Sequence, residues 1–173
     1  FKGVSRRRCL EILLDLGGIT VNKAQFEQWL LEKNEDYLSY IAKMDSSEVL
    51  PDVPRVFDFL KENQVSMALG SASKNAVPIL EKVDLLSYFD TVVDGTRVTR
   101  AKPDPEVFLI AARDLKVSPE HCVVFEDAVA GIEAANAAKM LSVGIGDPRV
   151  LSEAHHIFKD FTEIDIDFIK QLV

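Results

Sequence analysis

Apolar residues follow a helical period over the first part of the chain. Ser5 is a predicted N-cap, and Gly17 and Gly18 interrupt the pattern twelve residues later. The apolar positions that recur at helical spacing between them are Cys9, Ile12, Leu13 and Leu16. The sequence therefore predicts one amphipathic helix that ends at the glycine pair.

A second, longer helix is predicted directly afterwards, with Asn22 as its N-cap. The residues expected on its buried face are Phe26, Trp29, Leu30, Tyr37, Leu38 and Ile41. Two amphipathic helices joined by a short loop predict a helical hairpin.

Beyond Pro51 and Pro54 the pattern changes to helices that alternate with short apolar strands. The predicted elements are a helix near 53–62, strand "VSMALGS", a helix to Val83, strand "TVVDG", a helix capped by Asp104 with Pro105 in its first turn, strand "CVVFED", a helix over 128–138, strand "LSVGIG" and a weaker strand around "HHIF". Strands separated by helices of about ten residues imply right-handed crossovers and a mostly parallel sheet. The fold class is α/β, with a boundary near 46–54 between a helical part (1–50) and an α/β part (51–173).

The charge balance narrows the classes of function. A formal net charge of −8 over 173 residues argues against a nucleic-acid partner, which would require a basic surface. Cys9 and Cys122 match no metal-binding or redox spacing, and no membrane span or signal peptide is predicted. We expect a cytoplasmic protein with reduced thiols, in which any anionic substrate meets local cations or a metal.

Polar side chains gather where three segments of the predicted sheet end. In a parallel sheet ligands bind beyond the carboxyl ends of the strands. "GSASKN" (70–75) offers hydroxyl groups before a helix, "AKPDPEVF" offers Lys102, and "CVVFED" ends in Glu126 and Asp127. Hydroxyls and a helix start suit phosphate oxygens, and paired carboxylates suit Mg²⁺. Taken singly, each segment has a plain alternative: a serine cap, a solvated lysine, or an aspartate cap.

These three ordered segments resemble the motifs of the haloacid dehalogenase superfamily, and more narrowly of its β-phosphoglucomutase-like branch. The resemblance covers nearly the whole chain and implies a Rossmannoid three-layer core with a parallel sheet and a small helical cap domain. It implies that Ser71 and Lys102 bind the transferring phosphoryl group, and that Glu126 and Asp127 bind Mg²⁺.

Further contacts with the substrate are implied by the same resemblance. "KGVSR" matches a cap motif whose arginine, here Arg6, grips the phosphate that is not transferred. Lys33 matches a cap lysine that faces the active site. Three residues of the core, Ser73, Lys74 and Asn75, match phosphate and substrate contacts. Without the resemblance, Arg6 and Lys33 would be interpreted as parts of a solvated helix face.

The family places a D-x-D pair at the end of its first core strand, upstream of the cap. Asp15 in "LLDLGG" lies inside a helical pattern and has Gly17 where the second aspartate is needed, so it is not expected to be the nucleophile. The chain is therefore expected to lack the first strand and both aspartates. Because that strand is central in the family, its loss would expose the edges of both neighbouring strands. Either the sequence is part of a longer protein, or the fold is compromised.

The function implied for the intact protein is a Mg²⁺-dependent phosphosugar mutase. It would interconvert β-glucose 1-phosphate and glucose 6-phosphate through an aspartyl-phosphate, and the 173 residues alone are expected to be inactive. The alternatives are a sugar-phosphate phosphatase of the same fold and a catalytically degenerate phosphosugar-binding module. The expected partner is a small phosphorylated sugar, without nucleic acid or membrane, and the expected state is a monomer.

Overall fold

The structure is a computed structural model that describes residues 6–172. It begins with the helical hairpin formed by α1 (Arg6–Gly17) and α2 (Lys23–Ile41). The carboxamide oxygen of Asn22 accepts a hydrogen bond from the backbone N–H of Gln25 at 2.9 Å, so this predicted N-cap is confirmed. The predicted N-cap Ser5 lies outside the described residues.

The rest of the chain alternates helices and strands as the sequence predicts. The elements are α3 (Val53–Glu62), β1 (Ala68–Gly70), α4 (Ala76–Lys82), β2 (Thr91–Val93), α5 (Glu106–Leu115), β3 (Val123–Glu126), α6 (Val129–Ala137), β4 (Leu141–Ile145), β5 (His156–Phe158) and α7 (Ile166–Lys170). The predicted cap of α5 is displaced by one residue: Pro105 is the N-cap, while the carboxylate of Asp104 accepts from the backbone N–H of Glu106 at 3.0 Å. Within residues 6–172 no helix is both long and apolar enough to cross a membrane.

The strands are parallel throughout, but they form two sheets. β1 pairs with β2, and β4 lies between β3 and β5. No pairing joins β1 to β3 in the described part of the chain, so each of these two strands has an edge without a strand partner. The predicted parallel direction is confirmed, whereas the sheet is divided into a two-stranded and a three-stranded part.

Helices hold the two sheets together. One cluster of buried residues includes Val93 of β2 and Val124 of β3, together with Phe108 of α5 and Ala135 of α6. α5 packs on β1 and β2, α6 packs on β3 and β4, and the two helices contact each other, so one apolar layer spans both sheets on this side. Burial of that layer helps to hold the two sheets together.

The predicted buried face of α1 is partly wrong. Leu10 and Leu14 are its buried residues, whereas Leu13 is nearly half exposed and Leu16 is 76% exposed. The buried stripe of α1 therefore runs through Leu10 and Leu14 rather than through Leu13 and Leu16.

The same error occurs on α2. Of its predicted face only Ile41 is buried, and both Tyr37 and Leu38 are exposed. Among the described residues α2 has α1 and α4 as its substantial packing partners, so much of its apolar surface has no element against it.

Arg55 links the start of the α/β part to the segment before α7 through hydrogen bonds. From α3, its guanidinium donates to the backbone carbonyls of Ile164 at 2.8 Å and Phe161 at 3.3 Å, and it also contacts the carboxylate of Asp52 at 3.2 Å. Asp52 has a left-handed backbone (φ 64°) immediately before α3. Arg55 thus fixes the segment at which the hairpin joins the core.

We expect Arg55→Met to lower the free energy of unfolding by about 1–3 kcal/mol, because charged hydrogen bonds to two carbonyls are lost. Urea unfolding followed by circular dichroism would measure this change. Arg113→Met is the matched control: its guanidinium is well exposed and pairs with the neighbouring Asp114, so a change within about 0.5 kcal/mol is expected. Equal effects of the two substitutions would contradict the role assigned to Arg55.

Candidate active site

A cavity of about 960 Å³ opens at the carboxyl ends of β1 and β3, between the helical hairpin and the core. Leu30 of α2 lines it on the hairpin side, and Leu69 of β1 and Phe125 of β3 line it on the core side. The three predicted polar segments all reach this cavity, through Ser71, Lys102 and Asp127 among others. This is the position at which an open parallel sheet binds ligands.

The loop after β1 is held by backbone hydrogen bonds to the loop after β2. The N–H of Ser71 donates to the carbonyl of Val93 at 2.8 Å, and the N–H of Gly95 donates to the carbonyl of Ser73 at 3.1 Å. The hydroxyl oxygens of Ser71 and Ser73 accept from the N–H groups of Ser73 and Asn75, each at 3.1 Å. Two amides near the start of α4 are thus already used, and the loop's donors toward an anion are the hydroxyl protons rather than these amides.

Lys102 connects the ends of the two sheets. Its ammonium lies 3.2 Å from the carbonyl oxygen of Gly70 at the end of β1 and 2.7 Å from the carboxylate of Glu126 at the end of β3. The face of the Phe108 ring lies 4.6 Å away and adds a cation–π contact. With 6% of its side chain exposed, Lys102 is a buried cation with specific partners.

Glu126 is directed inward, away from its neighbour in sequence. One carboxylate oxygen contacts Lys102, and the other accepts from the backbone N–H of Ala128 at 3.1 Å. Its side chain lies against Gly131, where an added Cβ would stand 2.0 Å from the Glu126 carboxyl carbon. Gly131 therefore provides the space that Glu126 occupies.

The two predicted metal ligands therefore differ in environment. Both oxygens of Glu126 have donors within the chain, whereas Asp127 is exposed and lines the cavity. No cluster of three or more His, Cys, Asp or Glu side chains suitable for a metal occurs among residues 6–172. Mg²⁺ often binds through one or two carboxylates together with water and substrate phosphates, so Asp127 fits such a site without a complete cage of protein ligands.

Cationic side chains surround the cavity although the whole chain is acidic. They come from both the hairpin and the core: Arg6, Arg7, Lys33, Lys74, Arg100 and Lys102. The carboxylates on the same cavity are Glu126 and Asp127. The cavity thus concentrates positive charge in a chain of net charge −8, which suits an anionic ligand.

Arg7 and Arg100 were not predicted, and both are ion-paired. Arg7 contacts Glu27 at 2.8 Å, and Arg100 contacts Asp104 at 3.0 Å. The sequence did hold a signal for each of them: Arg7 directly follows Arg6, and Arg100 lies two residues before Lys102.

Arg6, Lys33 and Lys74 have no ion-pair partner among the described residues. They belong to α1, to α2 and to the loop before α4, so one cavity brings together cations from three separate parts of the chain. Asn75, another predicted contact, meets the hairpin directly: its amide donates to the side-chain oxygen of Asn34 at 3.3 Å.

Two of the aspartates that could be mistaken for a nucleophile, Asp15 and Asp165, belong to a helix or to its cap. Asp15 is inside α1, and its carbonyl accepts from the N–H of Gly18 at 3.2 Å, so the prediction that it does not end a strand is confirmed. The D-x-D sequence at Asp165 and Asp167 opens α7. There Asp165 caps the helix through the N–H of Asp167, and Asp167 pairs with Lys170.

The chain is an α/β protein with a cation-lined cavity at the strand ends, and comparison with known proteins identifies its family. The sequence profile of the haloacid dehalogenase-like hydrolases matches residues 4–139. The chain belongs to this family.

Several members of this family are similar to the chain over most of its length. The chain is 34% identical to the β-phosphoglucomutase of Bacillus subtilis, over 98% of this chain and 76% of that protein. It is 39% identical to the fructose-1-phosphate phosphatase of Escherichia coli, over 73% of this chain and 68% of that protein. The crystal structure of β-phosphoglucomutase from Clostridium difficile superimposes with a TM-score of 0.93 at 33% identity, over 99% of this chain and 78% of that one. Phosphomutases and phosphatases among its relatives support a phosphoryl-transferring enzyme.

We expect Gly131→Ala to destabilise the protein by about 1–3 kcal/mol, because the new methyl group would overlap the Glu126 side chain. The sign of this change in stability is informative, because replacing glycine by alanine inside a helix normally stabilises the helix by up to about 1 kcal/mol. Thermal unfolding would measure the change. In the control Gly17→Ala the added Cβ meets only the side chain of Ile19 at 3.2 Å, so a smaller effect is expected. Stabilisation by Gly131→Ala would contradict the observed packing of Glu126.

Proposed function

We propose that this chain is the larger part of a Mg²⁺-dependent phosphosugar mutase that interconverts β-glucose 1-phosphate and glucose 6-phosphate. The observation that carries the proposal is the set of cations without ion-pair partners among the described residues, Arg6 and Lys33 from the hairpin and Lys74 from the core, beside the buried Lys102. In this proposal the transferring phosphate binds at the side of the cavity that Ser71 and Lys102 line. A second anionic group on the same substrate would bind to Arg6, Lys33 and Lys74.

At the transferring phosphoryl group, Ser71 donates its hydroxyl proton to one oxygen. Lys102 has three N–H bonds, of which two are directed at Gly70 and Glu126, so the third remains for a second phosphoryl oxygen. Positioned donors of this kind stabilise the charge that develops in the transition state. Ser73 and Asn75 orient the sugar from the same loop.

The nucleophile in this proposal is an aspartate on a strand that pairs between β1 and β3 in the full-length protein. Support comes from the two strand edges that lack partners and from the cavity between their carboxyl ends. A second aspartate two residues later would move the proton to and from the sugar hydroxyl. The 173 residues by themselves are then inactive, with 1–50 as part of the cap and 51–173 as the core.

Asp127 would hold Mg²⁺ together with the substrate phosphate, and Glu126 acts mainly by holding Lys102. When bound, Mg²⁺ neutralises charge on the transferring oxygens. The proposals of a cytoplasmic location, a monomeric state and no nucleic-acid or membrane partner rest on the sequence alone.

A sugar-phosphate phosphatase is the second candidate, and the 39% identity to a fructose-1-phosphate phosphatase favours it. A phosphatase transfers the phosphoryl group to water and needs no second anion site. A degenerate phosphosugar-binding module is the third candidate, and finding a D-x-D pair upstream of these residues in the full-length protein would exclude it.

To separate the candidates, the full-length protein would be incubated with β-glucose 1-phosphate, Mg²⁺ and a trace of glucose 1,6-bisphosphate, and followed by ³¹P NMR. The mutase proposal expects glucose 6-phosphate as the main product. Inorganic phosphate as the main product from several sugar phosphates would instead establish the phosphatase, and no turnover would favour the binding module.

In that protein we expect Arg6→Gln and Lys33→Gln to lower kcat/KM for the isomerisation by about tenfold or more each, through loss of a charged hydrogen bond. Hydrolysis of p-nitrophenyl phosphate, which has a single anionic group, should change much less. Lys43→Gln, at an exposed cation outside the cavity, is the control. Equal losses on both substrates would argue against a second anion site.

A further inference from the structure

Lys102 lies on the loop between β2 and α5, and the side chain of Glu106 forms hydrogen bonds with that loop. The Glu106 carboxylate accepts hydrogen bonds from the N–H of Thr99 at 3.1 Å and from the N–H of Arg100 at 2.7 Å. The hydroxyl of Thr99 lies 3.0 Å from both of its oxygens. One carboxylate thus satisfies three donors on two consecutive residues, shortly before Lys102 in the sequence.

The electrostatics favour an ionised carboxylate at this point. Glu106 is the first residue of α5, where the positive end of the helix dipole stabilises negative charge. The N–H of Arg100, followed by the donors of Thr99 and the charge of Arg100, lowers the pKa of Glu106 below its usual value. The hydrogen bonds are therefore present at neutral pH and would be lost only in acid, as pH falls through the lowered pKa.

Glu106 is not required as the cap of α5. The Asp104 carboxylate already accepts from the N–H of Glu106 at 3.0 Å, and Pro105 occupies the N-cap position. The donors that Glu106 satisfies all lie outside the helix, in the loop. Its removal should therefore release the loop and leave the helix formed.

We propose that Glu106 is a positioning residue for Lys102: by fixing Thr99 and Arg100, it keeps the lysine ammonium between the Gly70 carbonyl and the Glu126 carboxylate. The geometry is demanding, because that ammonium must reach the ends of two sheets that are not paired with each other in the described part of the chain. The effect on turnover rests on the proposed function, whereas the effect on the position of Lys102 does not.

The test uses the full-length protein and the variant Glu106→Ala. This variant lacks both carboxylate oxygens, so the N–H groups of Thr99 and Arg100 lose their acceptor, while alanine still favours the helix. Lysine labelling by trinitrobenzenesulfonate, quantified by peptide mass spectrometry, reports the exposure of Lys102. We expect labelling of Lys102 to be faster by about tenfold, the size expected for loss of a charged hydrogen bond, with no change at the exposed Lys82. In the mutase assay kcat should fall by a similar factor with little change in KM.

Glu163→Ala is the matched control, because that carboxylate also accepts a local backbone N–H, from Lys159 at 2.9 Å, and does not line the cavity. Thr99→Val removes only the hydroxyl donor, so a smaller acceleration of Lys102 labelling, about threefold, is expected even where Glu106→Ala fails to fold. Unchanged labelling of Lys102 in the folded variants overturns the inference. If the wild-type full-length protein has no mutase activity but Lys102 is still labelled faster in the variants, the inference is supported and the proposed function is rejected.

Discussion

The ion pair between Lys102 and Glu126 is the interaction on which the site depends. Burying two charges costs more than their attraction returns unless further hydrogen bonds satisfy both groups. Here they do: the ammonium also contacts the Gly70 carbonyl and the Phe108 ring, and the carboxylate also accepts the N–H of Ala128. Because Gly70 ends β1 and Glu126 ends β3, the pair sets the relative position of the carboxyl ends of two separate sheets.

This pairing changes the role that Glu126 can have. A carboxylate whose oxygens are occupied by an ammonium and an amide is poorly placed to be the main ligand of a metal. Asp127, the next residue in the strand-to-helix turn, remains on the cavity. The two adjacent acids are thus divided between two positions: Glu126 holds Lys102, and Asp127 lines the cavity. Gly131 makes the division possible, since any side chain there would displace Glu126.

Sequence reasoning succeeded where the controlling interactions are local. The alternation of helices and strands, the cap Asn22 and the gathering of Ser71 and Lys102 at strand ends follow from periodicity, from capping and from the geometry of parallel sheets. It failed on Leu16 and Leu38, which are exposed, because the burial of a helix face depends on what packs against it. It also failed to pair Glu126 with Lys102, since no pattern links two residues 24 positions apart.

The cations of the cavity also bear on how the hairpin and the core come together. Arg6 and Lys33 lie on the hairpin and Lys74 lies on the core, so without a ligand like charges oppose close approach of the two parts. The hydrogen bond from Asn75 to Asn34 joins these parts and is weak by comparison with charged contacts. Under the proposed function, an anionic ligand would reverse the balance, because it would be attracted by cations on both sides. Ligand binding would then favour the approach of the two parts through the same charges, and that approach would exclude water that competes for a phosphoryl group.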